Sequence, residues 1–305
     1  MTPQAIYCRR VTVWRPWSNS TLKKFNPAEP RKSPEGAKPT KLSPVSADPW
    51  SELRQYTDAR IGLGRCGVSQ PVAQWLAFRL AHARARDAVF ADFDKSSLLA
   101  AFAGRGIDCL SLTSAATDKN EFLTRPDKGR CLAPASRLLL QEYSENNHKD
   151  KAKNKADVAL VISDGLSANA IHESAFAFAL AFLGYLRKAG LKAAPVVLVE
   201  NGRVAIADEI AELLGARLTV ILLGERPGLS SPNSLGVYMT YAPKTGCTDE
   251  ARNCISNVRP GGLGIDEAVR KLCYLAQNAF ERQYSGVRLK DDTPADYLPF
   301  NPALE

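Results

Sequence analysis

Apolar and polar positions divide the chain into distinct textures. Trp50 to Arg60 fits a short helix or turn. After Pro71, the residues Val72, Leu76, Leu80 and Ala83 recur three to four apart with Arg79, Arg84, Arg86 and Asp87 on the other face, predicting a longer helix. Residues 95–104 read as a short helix ending at Gly104, and Cys109–Thr113 as a strand. Residues 49–144 are therefore expected to be mainly helical. A polar, Lys-rich stretch at 145–155 reads as a linker, and beyond it the texture alternates. Strands are predicted at Asp157–Ile162, Pro195–Val199 and Leu218–Leu223, with a further one at Val237–Tyr241. Helices are predicted at Ala168–Lys188, Ile206–Leu214 and Ile265–Gln283. Nearly continuous apolar strands alternating with helices are the pattern of a parallel sheet covered on both faces. The expected fold class is α/β, with a Rossmann-like, mostly parallel sheet domain over 156–291 and a C-terminal tail over 292–305.

Composition narrows the function classes. The chain has 305 residues, 45% hydrophobic and 24% charged, and its longest unbroken apolar run, Ala175 to Leu183, is nine residues. A membrane-spanning helix needs roughly 20. The first 20 residues carry Arg9, Arg10 and Arg15 but no apolar stretch of the secretory kind, so a cytoplasmic location is expected. The net charge is +8, of which +6 falls in residues 1–48 and +2 in the remainder. That first segment is also rich in proline, among them Pro27, Pro30, Pro34, Pro39 and Pro44. It reads as a disordered, solvated basic tail, and nucleic-acid binding is not expected. Seven cysteines without a C-x-x-C pair fit neither a disulfide framework nor a Cys-based zinc module. Three histidines, His82, His148 and His172, leave little for metal or triad chemistry.

Candidate chemistry lies in loops. Gly62, Gly64 and Gly67 satisfy G-x-G-x-x-G, but a dinucleotide fingerprint needs a hydrophobic strand before it and an acidic residue ending a second strand. Residues 55–60 are polar and Asp87 falls in a predicted helix, so a nicotinamide-binding oxidoreductase is the weaker reading. Ser167 follows a strand and opens a helix, which suits a helix cap with Asp164 satisfying the turn. The pattern is not G-x-S-x-G, because Asn169 replaces the second glycine. Asn201–Ala205 and Gly224–Gly228 each follow an apolar strand, which places them at the carboxyl edge of the sheet, where such sheets bind ligands. Glu225 there needs a hydrogen-bonding partner: a ligand amide on one reading, Arg226 or Arg203 on the other. Asn253–Asn257, followed by Pro260–Gly262, reads as a third polar loop, with Cys254 a small buried residue rather than a reactive thiol.

Six strings in order carry a family resemblance: Ala59–Arg65 (ARIGLGR), Leu80–Val89 (LAHARARDAV), Leu123–Asp127 (LTRPD) with Gly129-Arg130, Val161–Ser167 (VISDGLS), Gly224–Ser230 (GERPGLS) and Asn253–Asn257 (NCISN). Over residues 51–291 the chain closely resembles the small (light) subunit of ethanolamine ammonia-lyase. The resemblance implies a component of an adenosylcobalamin-dependent carbon–nitrogen lyase that converts ethanolamine to acetaldehyde and ammonia by radical chemistry. It implies a large subunit that holds the substrate, hetero-oligomers of several large–small pairs, and a small subunit that clamps the corrinoid and is inactive alone. Residue by residue, the family's corrinoid contacts match Val204, Glu225 and Cys254, while Asp164, Ser167, Arg203, Arg226 and Asn257 are expected around them or at the subunit interface. No catalytic residue and no metal ligand is expected from this chain. Because none of its histidines follows D-x-H-x-x-G, the corrinoid is expected to keep its own lower base. Some members of the family begin with a helix that directs them into a bacterial microcompartment; the tail here, broken by Pro16, does not read as one. The alternative is a stand-alone cobalamin-binding or chaperone-like module without lyase activity.

Overall fold

The structure, a computed structural model, describes residues 44–147 and 156–299. The expected basic tail up to residue 43, most of the Lys-rich linker and residues 300–305 lie outside the described residues. A 3-10 helix at Pro49–Tyr56 opens the described chain, and helices α1 (Val72–Phe90) and α2 (Lys95–Ala103) follow it. Strand β1 (Cys109–Thr113) leads to α3 (Lys119–Thr124) and α4 (Pro134–Asn147). The alternating part comprises β2 (Val158–Ser163), α5 (Ala168–Lys188), β3 (Val196–Glu200), α6 (Ile206–Leu213), β4 (Leu218–Gly224), β5 (Leu235–Tyr241), β6 (Arg252–Val258) and α7 (Ile265–Arg282). Local chemistry sets several boundaries. The Asp94 carboxylate accepts the Ser97 N–H at 3.0 Å to start α2, and the Asp118 carboxylate accepts the Glu121 N–H at 2.8 Å to start α3. Gln283, left-handed at φ 59°, ends α7.

The six strands form one sheet in the order β1-β3-β2-β4-β5-β6. β1, β3, β2 and β4 are parallel, while β5 and β6 run antiparallel to their neighbours. The expected mostly parallel α/β sheet is present, with two differences. β1, from before the Lys-rich segment, pairs with β3 in register Cys109↔Val196, so the sections expected on either side of that segment share one sheet. Residues 253–257, expected as a loop, form the edge strand β6; their polar side chains stand on an outer strand with only one neighbour.

Alternate residues of the strands feed two cores. One holds Leu160, Ile162, Leu198, Val220, Leu222, Val237, Met239 and Ile255 under α5 and α7. The other holds Val161, Val197, Val199, Ile221 and Leu223 under α6, with α4 behind it. α1 departs from the expected orientation. Its large apolar residues Val72, Leu76 and Leu80 are exposed, together with Trp75 and Phe78, while Ala81, Ala85 and Ala88 face inward. A row of small side chains lets the helix backbone lie close to its support.

Candidate functional site

Three loops leave the carboxyl ends of the parallel strands and converge. Asp164–Ser167 follows β2, Asn201–Ala205 follows β3, and Glu225–Ser234 follows β4. Gly165, at φ 53°, and Gly224 bring the first and third loops into backbone contact: the Leu166 N–H donates to the Gly224 carbonyl at 2.8 Å. A Cβ on Gly165 would stand 2.5 Å from that carbonyl oxygen, and one on Gly224 would run into the Ser167 carbonyl. The approach requires glycine at both places.

Asp164 reaches further than its expected turn contact. Its buried carboxylate accepts the Asn201 N–H at 2.7 Å and the Lys119 Nζ at 2.7 Å, tying the ends of β2 and β3 to α3. Lys119 also donates to the Gly165 carbonyl at 2.8 Å. Ser167 takes the cap position expected of it. Its Oγ accepts the Ala170 N–H of α5 at 3.4 Å and donates to the Pro232 carbonyl at 3.0 Å.

Between the loops lies a cavity of about 490 Å³ whose lining includes Leu166, Arg203, Val204, Glu225, Arg226 and Tyr238. Val204 and Glu225 thus share one cavity. Val204 packs on the α6-side core and supplies an apolar wall. The Glu225 Oε2 accepts the Ser234 hydroxyl at 2.5 Å and the Asn257 N–H at 3.1 Å. Neither Arg226 nor Arg203, the pairings considered from sequence, forms an ion pair with it among the described residues. Arg203 instead lies over the Phe122 ring, 4.5 Å from its centroid, and donates through Nη2 to the Phe122 carbonyl at 2.7 Å. Its Nε is buried with no acceptor among the described residues, and burial, with Arg130 nearby, lowers its pKa.

Cys254 stands directly across from Tyr238 in the β5–β6 register, so both side chains project from the same face. Expected to be buried, it is exposed as a residue on the edge strand, which has a neighbour on one side only. The thiol meets the Tyr238 hydroxyl as its hydrogen-bond partner; burial and then the Glu225 charge raise its pKa, against the effect of that bond. Burial foremost, then the Cys254 group and the Glu225 charge, raises Tyr238 as well. Both groups are protonated at neutral pH. Neither Tyr238 nor Ser234 was legible as a site residue; only the expected strand at Val237–Tyr241 covered Tyr238.

The dinucleotide reading fails on geometry. Gly62, Gly64 and Gly67 have positive φ and follow a 3-10 helix and irregular chain rather than a strand, and Asp87 lies within α1. No group of His, Cys, Asp and Glu among the described residues is arranged to hold a metal ion. No helix among them is long and apolar enough to cross a membrane.

A parallel-rich α/β sheet with a polar cavity across its carboxyl edge is the arrangement in which open α/β proteins bind ligands. The family model "Ethanolamine ammonia-lyase light chain (EutC)" matches residues 47–290. Curated proteins called "Ethanolamine ammonia-lyase small subunit" are similar over most of their length. That of Azotobacter vinelandii is 52% identical over 250 residues, 82% of this chain and 91% of the relative. That of Ralstonia nicotianae is 52% identical over 248 residues, 81% and 90% of the two chains, and that of Pseudomonas putida strain W619 is 51% identical over 249, 82% and 90%. The chain belongs to the ethanolamine ammonia-lyase light-chain family.

Proposed function

We propose that this chain is the small subunit of an adenosylcobalamin-dependent ethanolamine ammonia-lyase, and that its sheet-edge cavity clamps the rim of the corrinoid against a large catalytic subunit. The observation that carries the reading is the meeting of Val204 and Glu225 in one cavity, with Cys254 beside it on the face of Tyr238. The residues fit the group. A corrinoid presents amide side chains around an apolar ring: Glu225 would accept from amide N–H groups, Arg226 would donate to amide carbonyls, and Val204 and Leu166 would meet the ring edge. The cavity is too small to enclose a whole corrinoid, which supports a shared site. When bound, the cofactor supplies the radical that activates the substrate. This chain binds and orients the corrinoid rim and excludes water from it.

The large apolar side chains that α1 turns outward, Trp75, Leu76 and Phe78 among them, support a partner subunit, since an isolated chain gains nothing by exposing them. Lower-base retention, assembly as several large–small pairs and a cytoplasmic location belong to the same reading. The test is reconstitution: the purified chain, an ethanolamine ammonia-lyase large subunit and adenosylcobalamin are mixed, and acetaldehyde formation is assayed with each omitted in turn. Activity is expected only with all three. Cobalamin binding by the chain alone, without association with the large subunit, would favour the stand-alone module.

A further inference from the structure

The loop between β4 and β5 is closed on itself by Glu225 and Ser234. The Glu225 N–H donates to the Ser234 carbonyl at 2.9 Å, and the Ser234 hydroxyl donates back to Glu225 Oε2 at 2.5 Å. The Asn257 N–H, from the neighbouring strand, reaches the same oxygen at 3.1 Å. Oε2 is therefore engaged twice, whereas Oε1 has no donor among the described residues. Ser234 is buried, so bulk water does not compete for its hydroxyl. Gly236 lies beneath the carboxylate: a Cβ there would stand 3.0 Å from both Cγ and Oε1 of Glu225, and 3.3 Å from Cε2 of Tyr238.

We infer that Ser234 and Gly236 are positioning residues for Glu225, holding Oε2 so that Oε1 is presented to a primary-amide N–H in the cavity; the inference rests on the corrinoid reading above. A glutamate side chain has three rotatable bonds, and freezing them on binding opposes affinity. Two donors on one oxygen fix the rotamer beforehand, and hydroxyl-to-carboxylate bonds of this length are among the stronger neutral-to-charged contacts. Gly236 keeps clear the space into which the carboxylate folds. A Cβ at that position would make Glu225 give way by a few tenths of an ångström, because it would press on the two atoms that set the acceptor's direction.

The test is equilibrium titration of the large–small complex with cyanocobalamin, a corrinoid that does not turn over, beside KM and kcat for adenosylcobalamin. Ser234→Ala is expected to weaken corrinoid binding by about tenfold, the scale of one lost hydrogen bond to a charged group. The loss should appear in KM rather than kcat. Ser234→Thr, which keeps the hydroxyl, should restore most of the affinity, and Gly236→Ala should weaken it with Ser234 intact. In a Glu225→Ala background, Ser234→Ala should have no further effect. If the serine substitution weakens binding equally with and without Glu225, or leaves it unchanged while Glu225→Ala weakens it, the positioning role is overturned. If Glu225→Ala itself leaves corrinoid affinity unchanged, the proposed site fails and this role fails with it.

Discussion

On one face of the sheet, α5 and α7, 21 and 18 residues long, lie over the strands from β2 to β6, and Phe178 and Phe182 of α5 with Val237 and Met239 of β5 are fully buried between helices and sheet. On the other face, α6 is eight residues long and packs on β2 and β4, leaving Tyr238 half-buried and the Cys254 residue partly open to solvent on the strands beyond it. The same strands thus carry a sealed face and an unfinished one. The sealed face holds the fold, and the candidate site occupies the place where the other face and the sheet edge are both left open. One buried ion pair marks the border: Arg252 Nη1 lies 2.8 and 2.7 Å from the two Asp208 oxygens, with Thr240 beside it at 3.3 Å, joining β6 to α6.

The largest expected effect belongs to the sealed face. Phe178→Ala should lower unfolding free energy by about 3–5 kcal/mol in a denaturant melt, the usual cost of a large aromatic truncation in a core. Next comes the border. Asp208→Ala leaves the buried Arg252 charge with only the exposed Asp249 carboxylate as its counter-charge and should cost about 3 kcal/mol in the same melt, whereas the joint replacement Asp208→Leu with Arg252→Met should cost less. A larger loss from the double replacement would mean that the pair stabilises through more than mutual compensation.

The open face should respond in chemistry rather than stability. Because burial and the Glu225 charge raise the Cys254 thiol above its usual value near 9.0, alkylation of Cys254 in the free chain should be slow at pH 7 and still accelerating above pH 9. Mass spectrometry of the labelled chain over pH 7–10 checks this, and a plateau below pH 9 would contradict it. The linkage has a definite sign. An acid whose folded-state pKa is raised favours the folded chain while the group is protonated, and that contribution is lost as pH rises above the unfolded value. Stability should therefore fall slightly on the alkaline side, and less so in Cys254→Ala.

Where the sequence was legible, one element's own pattern sufficed. β2, β3 and β4 are nearly continuous apolar runs, α5 spans the expected Ala168–Lys188, and Ser167 caps it as its type and place implied. What was not legible depended on partners distant in the chain. β6 hid behind polar residues that only an edge strand tolerates, and α4 was not distinguished although Pro134 stands at its start. Asp164 gave no sign of its link to Lys119, 45 residues earlier, nor Glu225 of Ser234 and Asn257. In α1 the periodicity was right and the direction was not. Large apolar residues do not fix the inward face in this helix, where alanines fill that role.

The central claim is that the open edge, and Glu225 in it, holds the corrinoid. The most direct measurement is the affinity of the large–small complex for adenosylcobalamin with wild-type chain and with Glu225→Ala, each first shown to be folded at the assay temperature and to co-elute with the large subunit. Binding should be weaker by about tenfold for Glu225→Ala, the loss of one charge-assisted hydrogen bond to the ligand. Equal affinities in the two folded complexes would contradict the claim.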